Sequence, residues 1–272
     1  MNDAPSGSPA GRSSSVARLR AAGCVFAEEE AELLEEANSD PAALERALHR
    51  REAGEPLEQI LGWVAFRGLR VPVTPGVFVP RVRTGFVVDT ALSLLSAPPL
   101  SARSTVTVLD LCCGTGAIAC ALAHEAPHLR LLAADLSPTA VASARIALSE
   151  LATVFEGDLF SALPPQERGR LDLIVVNAPY VPTSAIALMP PEARLHEPML
   201  TLDGGVDGLD LHRRIALEAA AWLAPGGSVV IETSDDQAEA SASAFAASGF
   251  STHVRRDEDL DATVVVAGTT RL

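Results

Sequence analysis

From residue 105 to the carboxyl terminus, short apolar runs alternate with stretches of helical composition. The runs fall at 105–109, 129–134, 152–156, 171–176 and 228–232, and helices follow most of them. Runs this apolar suit strands covered on both faces, and their alternation with helices predicts an α/β fold built on a doubly wound, Rossmann-like sheet. A last pair at 251–256 and 263–267 is separated by six residues, 257–262, too few for a crossover helix, so that pair is predicted to be antiparallel.

The rest of the 272 residues divide around this sheet. Residues 1–15, MNDAPSGSPAGRSSS, read as a disordered tail, and 16–61 as a small helical domain of short amphipathic helices. Within it, Asp40 followed by Pro41 is an N-cap and first-turn pair. Residues 62–84 carry β-branched and aromatic residues broken by Gly68, Pro72, Pro75 and Gly76, as expected of a hairpin linker to the main domain at 85–272. The opening residues lack an apolar signal core and no later run reaches about 18 uncharged apolar residues, so the reading is a cytoplasmic protein with no membrane association.

The formal charge is −14, and all 21 basic residues are Arg. The acidic excess argues against general nucleic-acid binding unless the Arg side chains cluster. Without Lys, neither a Walker-type phosphate loop nor a Schiff-base lysine can exist. The four Cys, at 24, 112, 113 and 120, lack zinc spacing, which predicts a reduced compartment, small buried thiols and no structural metal.

The run at 171–176 stops at Asn177, Ala178, Pro179 and Tyr180, which places an amide, a rigid ring and the chain's one Tyr at a strand's carboxyl end. In open α/β sheets ligands bind at that edge, and these residue types suit a flat, polar substrate. Upstream, Asp110 to Gly116 reads DLCCGTG between a strand and a helix, where Gly114 and Gly116 let the backbone bend and approach a ligand closely. With Ala119 it also fits G-x-G-x-x-A, so a dinucleotide reading stands beside others. Asp135, about twenty residues on, suits ribose hydroxyls. Asp158, in EGDLF, suits an adenine amino group.

An acid closing the first strand, the NAPY turn, Pro225-Gly226-Gly227 before the fifth strand and the closing hairpin together resemble class I S-adenosylmethionine methyltransferases. NAPY is similar to the [N/D]-P-P-[Y/F/W] motif of enzymes that methylate planar nitrogen. Glu55-Pro56 with Gly62 and Phe66, VPRVRT at 79–84, DLCCGTGAIA, AADLSP, EGDLF, His196-Glu197-Pro198, the glycines at 204, 205 and 208, and Glu232 with Gln237 follow the order of the HemK (PrmC) family. The resemblance spans about 31–267 and implies a seven-stranded methyltransferase sheet with an antiparallel end. It also implies S-adenosylmethionine as cofactor and methylation of the glutamine amide in the Gly-Gly-Gln motif of peptide-chain release factors. By resemblance, Asn177, Ala178, Pro179 and Tyr180 are catalytic. Asp110, Cys112, Gly114, Gly116, Asp135, Leu136, Asp158, Leu159, Asn177, Arg81 and Thr84 bind the cofactor.

Three positions depart from the family pattern: Ala178 stands for the first Pro of N-P-P-Y, Cys112 for a glycine, and Arg83 for the acid of P-R-P-E-T. A side chain at a positive φ costs around 1 kcal/mol, which bears on Cys112, and Arg83 reverses a charge beside the cofactor. These departures keep open a methyltransferase of exocyclic amines on bases or small molecules, and a non-catalytic cofactor-binding module. His196 and Glu197 lie in a Pro-rich loop that could cover the site, Gly204 to Gly208 reads as a tight connection into the next helix, and the oligomeric state is open.

Overall fold

The computed structural model of the chain describes residues 9–98 and 100–269. Four helices come first: α1 (Pro9–Ala21), α2 (Ala27–Ala37), α3 (Pro41–Glu52) and the single turn α4 (Leu57–Leu61). Each is too short to be stable alone, and they share a small core of Leu19, Ala27, Ala31, Leu34, Ala47 and Leu48. The Asp40 carboxylate caps α3 as expected, accepting from the backbone amides of Ala42 and Ala43 at 3.3 and 3.0 Å. Helix α1 begins earlier than the sequence suggests: 9–15 are helical, and only 1–8 of the expected tail lie outside the described residues. Leu19 buries in the helical core and Arg18 bonds Glu45 and Glu52, both at 2.7 Å. Once that turn is anchored, extending the helix upstream costs little.

The hairpin β1 (Trp63–Phe66) and β2 (Leu69–Pro72) follows, then α5 (Gly85–Ser96). The main domain continues with β3 (Thr107–Leu111), α6 (Ala117–Glu125), β4 (Arg130–Asp135), α7 (Pro138–Leu148), β5 (Ala152–Glu156) and β6 (Leu171–Val176). After a long connection containing α8 (Pro191–His196) come α9 (Asp210–Ala219), β7 (Leu223–Thr233), α10 (Ala238–Ala247), β8 (Phe250–Asp257) and β9 (Ala262–Thr269). Seven of these strands form one sheet in the order β5-β4-β3-β6-β7-β9-β8, with β9 antiparallel to both neighbours. No helix among the described residues is long and apolar enough to cross a membrane.

The apolar runs are legible in the packing. Along β6, Leu173 and Val175 enter the core on one face of the sheet, while Leu171, Ile174 and Val176 enter the other. Val230 on β7 joins the first face, and Val229 and Ile231 join the second. Two boundaries moved. β3 runs two residues later than expected, because Asp110 and Leu111 stay in register with Ala133 and Ala134 of β4. β7 starts at Leu223 rather than 228, passing through Pro225 and Gly226 where its pairing to β6 shifts register between Leu171 and Leu173. A bulge tolerates a proline and a glycine that a regular central strand would not.

Cys112, just past β3, has φ +60°, the left-handed region that favours glycine. Replacing it with Gly removes that strain but adds unfolded-state entropy of similar size, so Cys112→Gly should shift unfolding stability by less than about 1 kcal/mol. Cys112→Val puts a β-branched side chain at the same φ and should cost about 2 kcal/mol, read by chemical denaturation.

His212 on α9 is fully buried, its Nδ1 lying 2.8 Å from the Ser241 hydroxyl of α10 while Nε2 has no partner among the described residues. Burial lowers its pKa from 6.5 to about 4. The unfolded chain therefore binds a proton near pH 6.5 that the folded chain refuses until about pH 4, so this contribution is full above pH 6.5 and is lost as pH falls toward 4. His212→Leu should remove about 2 kcal/mol of the stability loss between about pH 7 and about pH 5, measured by denaturant unfolding at each pH.

Candidate active site

Chain order reverses between β3 and β6: β4 and β5 extend the sheet one way from β3, and β6 and β7 the other. At such a switch point the connections leave in opposite directions and a crevice opens at the carboxyl edge. A cavity of about 510 Å³ lies there. The loops after β3, β4, β5 and β6 form its floor, and Arg81, Arg83 and Thr84 approach from the segment after the hairpin. Leu200 to Gly205 and Arg214 of α9 close the remaining side.

One half of the cavity is built around Asp135, at the end of β4. Its Oδ2 accepts from the Gly114 amide at 2.9 Å and its Oδ1 from the Ser137 amide at 2.8 Å, which ties two strand-end loops together. Burial raises its pKa in spite of these donors. Gly114 has φ +55°, and a Cβ there would meet nothing within 4 Å, so its backbone faces open space. Asp158, after β5, accepts on Oδ2 from Arg214 Nη2 at 2.7 Å. Leu136 and Leu159 line the same region, the first half-exposed and the second buried. Cys112 also lines it, and desolvation, followed by the carboxylates of Asp135 and Asp110, pushes its thiol pKa up, so it is a neutral wall residue.

Two residues expected at the cofactor are absent from the cavity wall. Asp110 is 1% exposed and outside the cavity wall; its Oδ2 accepts from the Ala119 amide of α6 at 3.0 Å, and burial raises its pKa well above the usual range. It pins α6 to β3 from beneath. Gly116 is also outside the wall, and a Cβ there would lie 2.9 Å from Leu148 Cδ1, so the close approach that needs glycine is to α7 and not to a ligand.

The other half is the Asn177–Tyr180 turn, all four residues of which line the cavity. Asn177 Nδ2 donates to Thr84 Oγ1 at 3.1 Å. Tyr180 Oη donates to Glu232 Oε1 at 3.1 Å and accepts from Arg83 Nη2 at 3.1 Å. Burial, with the Glu232 charge adding, pushes the Tyr180 pKa up to about 12, so its phenol keeps its proton. The loop at 203–208 folds back on this turn: Val181 and Asp203 form a β-bridge, Gly204 donates to the Val181 carbonyl at 2.9 Å, and Gln237 Nε2 donates to the Tyr180 carbonyl at 2.9 Å. Gly208, at φ +80°, sits where a Cβ would come within 2.2 Å of the Tyr180 carbonyl oxygen. The glycine-rich stretch is thus a brace for the turn, a role that its reading as a tight connection into the next helix did not include.

Arg81 lines the cavity but is held by Glu197, which is buried and belongs to the loop after α8. Of the two loop residues singled out in the sequence, Glu197 reaches the site, and His196 lies instead beside Gly54 of the helical domain. Arg51 of α3 also reaches Glu192 of α8 at 3.5 Å, so the covering loop is tethered to both flanks. Sequence reasoning missed Arg214, because an Arg in an amphipathic helix carries no signal of facing a loop fifty-six residues upstream.

Comparisons with known proteins agree with this geometry. Residues 69–191 match the family described as the methyltransferase small domain. The chain is 42% identical over 212 residues to the release factor glutamine methyltransferase of Geobacter sulfurreducens, covering 77% of this chain and 71% of that protein. It is 43% identical over 189 residues to that of Streptomyces coelicolor, covering 69% and 66%. A methyltransferase structure from Pyrococcus furiosus superposes with a TM-score of 0.53 at 14% identity, covering 82% of this chain and 96% of that one, which shows the shared class I fold. The arrangement at the carboxyl edge and the identity over most of its length establish that the chain belongs to the release factor glutamine methyltransferase family.

Proposed function

We propose that this protein transfers a methyl group from S-adenosylmethionine to the side-chain amide nitrogen of a glutamine, in the Gly-Gly-Gln motif of a peptide-chain release factor. The observation that carries the reading is the Asn177 amide, held at the open end of a buried strand by Thr84, beside a cavity whose wall includes the carboxylates of Asp135 and Asp158. The cavity falls in the size range of small-molecule sites. Asp135 and Asp158 each present a carboxylate to it, suited to ribose hydroxyls and to an adenine amino group, and Leu136 and Leu159 offer apolar surface to a base. When bound, S-adenosylmethionine supplies an electrophilic methyl on a sulfonium sulfur.

An amide nitrogen is a poor nucleophile because its lone pair is delocalised into the carbonyl. Asn177 Oδ1 and the Ala178 carbonyl would accept its two N–H bonds, orient the nitrogen and favour the positive charge that develops on it as the bond to carbon forms. The Tyr180 ring would stack on the flat amide, and the surplus proton would leave to water. A backbone carbonyl serves at position 178 whichever side chain is present, so Ala178 does not remove this role.

Titration with S-adenosylmethionine, followed by methyl transfer to release factors ending the motif in Gln or in Ala, tests the reading. Label on the Gln form alone is the expected result, and binding without label on any release factor would overturn the substrate assignment. Asn177→Ala should lower kcat about 100-fold while cofactor affinity changes less than about threefold, since the lost acceptor acts on the substrate nitrogen.

A further inference from the structure

Tyr180 is held at both ends. At the main-chain end, Gln237 Nε2 donates to the Tyr180 carbonyl at 2.9 Å and to the Asp207 carbonyl at 2.8 Å, while Gln237 Oε1 accepts from Ser234 Oγ at 2.6 Å. At the far end, Tyr180 Oη donates to Glu232 Oε1 at 3.1 Å and accepts from Arg83 Nη2 at 3.1 Å. Glu232 stands near the end of β7, 2% exposed and absent from the cavity wall, and Arg83 Nε lies 3.5 Å from the same Oε1.

These contacts fix more than the hydroxyl. The long axis of a tyrosine ring runs from Cβ to Oη, so anchoring the main chain and the hydroxyl sets its direction. Rotation about that axis is set by the hydrogen bond, because conjugation keeps the phenol O–H in the plane of the ring. A guanidinium only donates, so Arg83 occupies the acceptor side of Oη and the single phenol proton points to Glu232. The plane of the ring, and with it the direction in which its face looks, follows from where Glu232 stands. Since the phenol keeps its proton, this bond serves geometry and not proton transfer.

We propose that Glu232 is a positioning residue for methyl transfer: by accepting the Tyr180 hydroxyl, it holds the ring face flat against the substrate amide. The inference rests on the reaction proposed above and extends it to a residue behind the cavity wall. Glu232 Oε2 has no hydrogen-bond partner among the described residues, and a buried carboxylate with one oxygen unpaired destabilises a fold. A Phe at 180 beside an apolar residue at 232 would avoid that cost, and the [N/D]-P-P-[Y/F/W] pattern admits Phe at the last position. What the hydroxyl and the carboxylate add together is a fixed ring plane. Arg83, which departs from the family pattern by reversing a charge, is in this arrangement the cation beside the buried carboxylate.

The test compares Y180F, E232M, E232Q and the Y180F/E232M double variant in methyl transfer to a release factor, with cofactor titration on each. Y180F keeps the ring and E232M the volume, yet each should lower kcat about 10- to 30-fold with cofactor affinity within about threefold of wild type. The double variant should lose no more than the worse single one, because both remove the same bond. E232Q keeps an acceptor oxygen, which the Arg83 guanidinium draws to the same side, so it should retain more turnover than E232M. Independently of turnover, Tyr180 is the chain's one Tyr, so tyrosine isotope-labelled in its ring gives the signals of this residue alone. Nuclear relaxation of those ring carbons should show a ring as ordered as rigid backbone in wild type and a mobile one in E232M. Full activity in Y180F or E232M, additive losses in the double variant, E232Q no better than E232M, or a ring as ordered in E232M as in wild type would each overturn the proposal. If E232M does not fold, turnover of Y180F and ring order in E232Q decide it: full activity in the first, or unchanged order in the second, overturns it. Wild-type protein that methylates no release factor would instead refute the proposed reaction, while the ring measurement still decides whether Glu232 holds the ring.

Discussion

Burial of the central strands on both faces is the constraint from which the rest of the molecule follows. Because β3, β6 and β7 carry apolar side chains into two cores, polar groups cannot be placed along their length without a partner, and they collect at the strand ends. Two of the exceptions are engaged through at least one oxygen. Asp172 near the start of β6 accepts from the Thr107 amide at 2.8 Å, and Asp110 near the end of β3 accepts from α6. At the carboxyl edge, Asp135, Asp158 and Asn177 line the cavity, each held by an amide, a guanidinium or a hydroxyl of a neighbouring segment.

That edge is braced from three sides. The loop at 203–208 packs against the carbonyl of Tyr180, Glu232 holds the Tyr180 hydroxyl from behind, and Thr84 reaches in from the segment after the hairpin to hold Asn177. The covering loop is tied to the linker through Arg81 and Glu197 and to the helical domain through Arg51 and Glu192. Arg51 is itself paired with the buried Glu30 at 2.6 Å, so the small domain presents a fixed cation rather than a flexible one. The helical domain and the linker therefore contribute to the geometry of the site, not only to the covering of the sheet.

Much of this was legible before any coordinates. The apolar runs, their spacing and the short final connection yield the doubly wound sheet with its antiparallel end, because periodicity and loop length are local properties. Asp40 is recognisable as a cap for the same reason, and its carboxylate does accept from the Ala43 amide at 3.0 Å. Over 9–15 the polar composition suggests a tail, while the anchor that makes it helical, Arg18 against α3, is a contact across the fold. Motif position alone points Asp110 and Gly116 toward a cofactor. Neighbours twenty or more residues away in sequence, or on the next helix, decide that one pins α6 and the other admits Leu148.

By itself, then, the sequence determined the order of strands and helices, the carboxyl-edge location of the NAPY turn and the residue types available for chemistry, since each depends on local pattern and on which side chains exist at all. Tertiary structure alone decided which carboxylates open into the cavity and which are consumed in packing, that Cys112 sits at positive φ, that Arg83 and Tyr180 meet at the buried Glu232, and that Thr84 meets Asn177. Those outcomes are set by contacts between segments far apart in the chain, where a hydrogen bond of about 3 Å depends on how two elements dock and not on the composition of either.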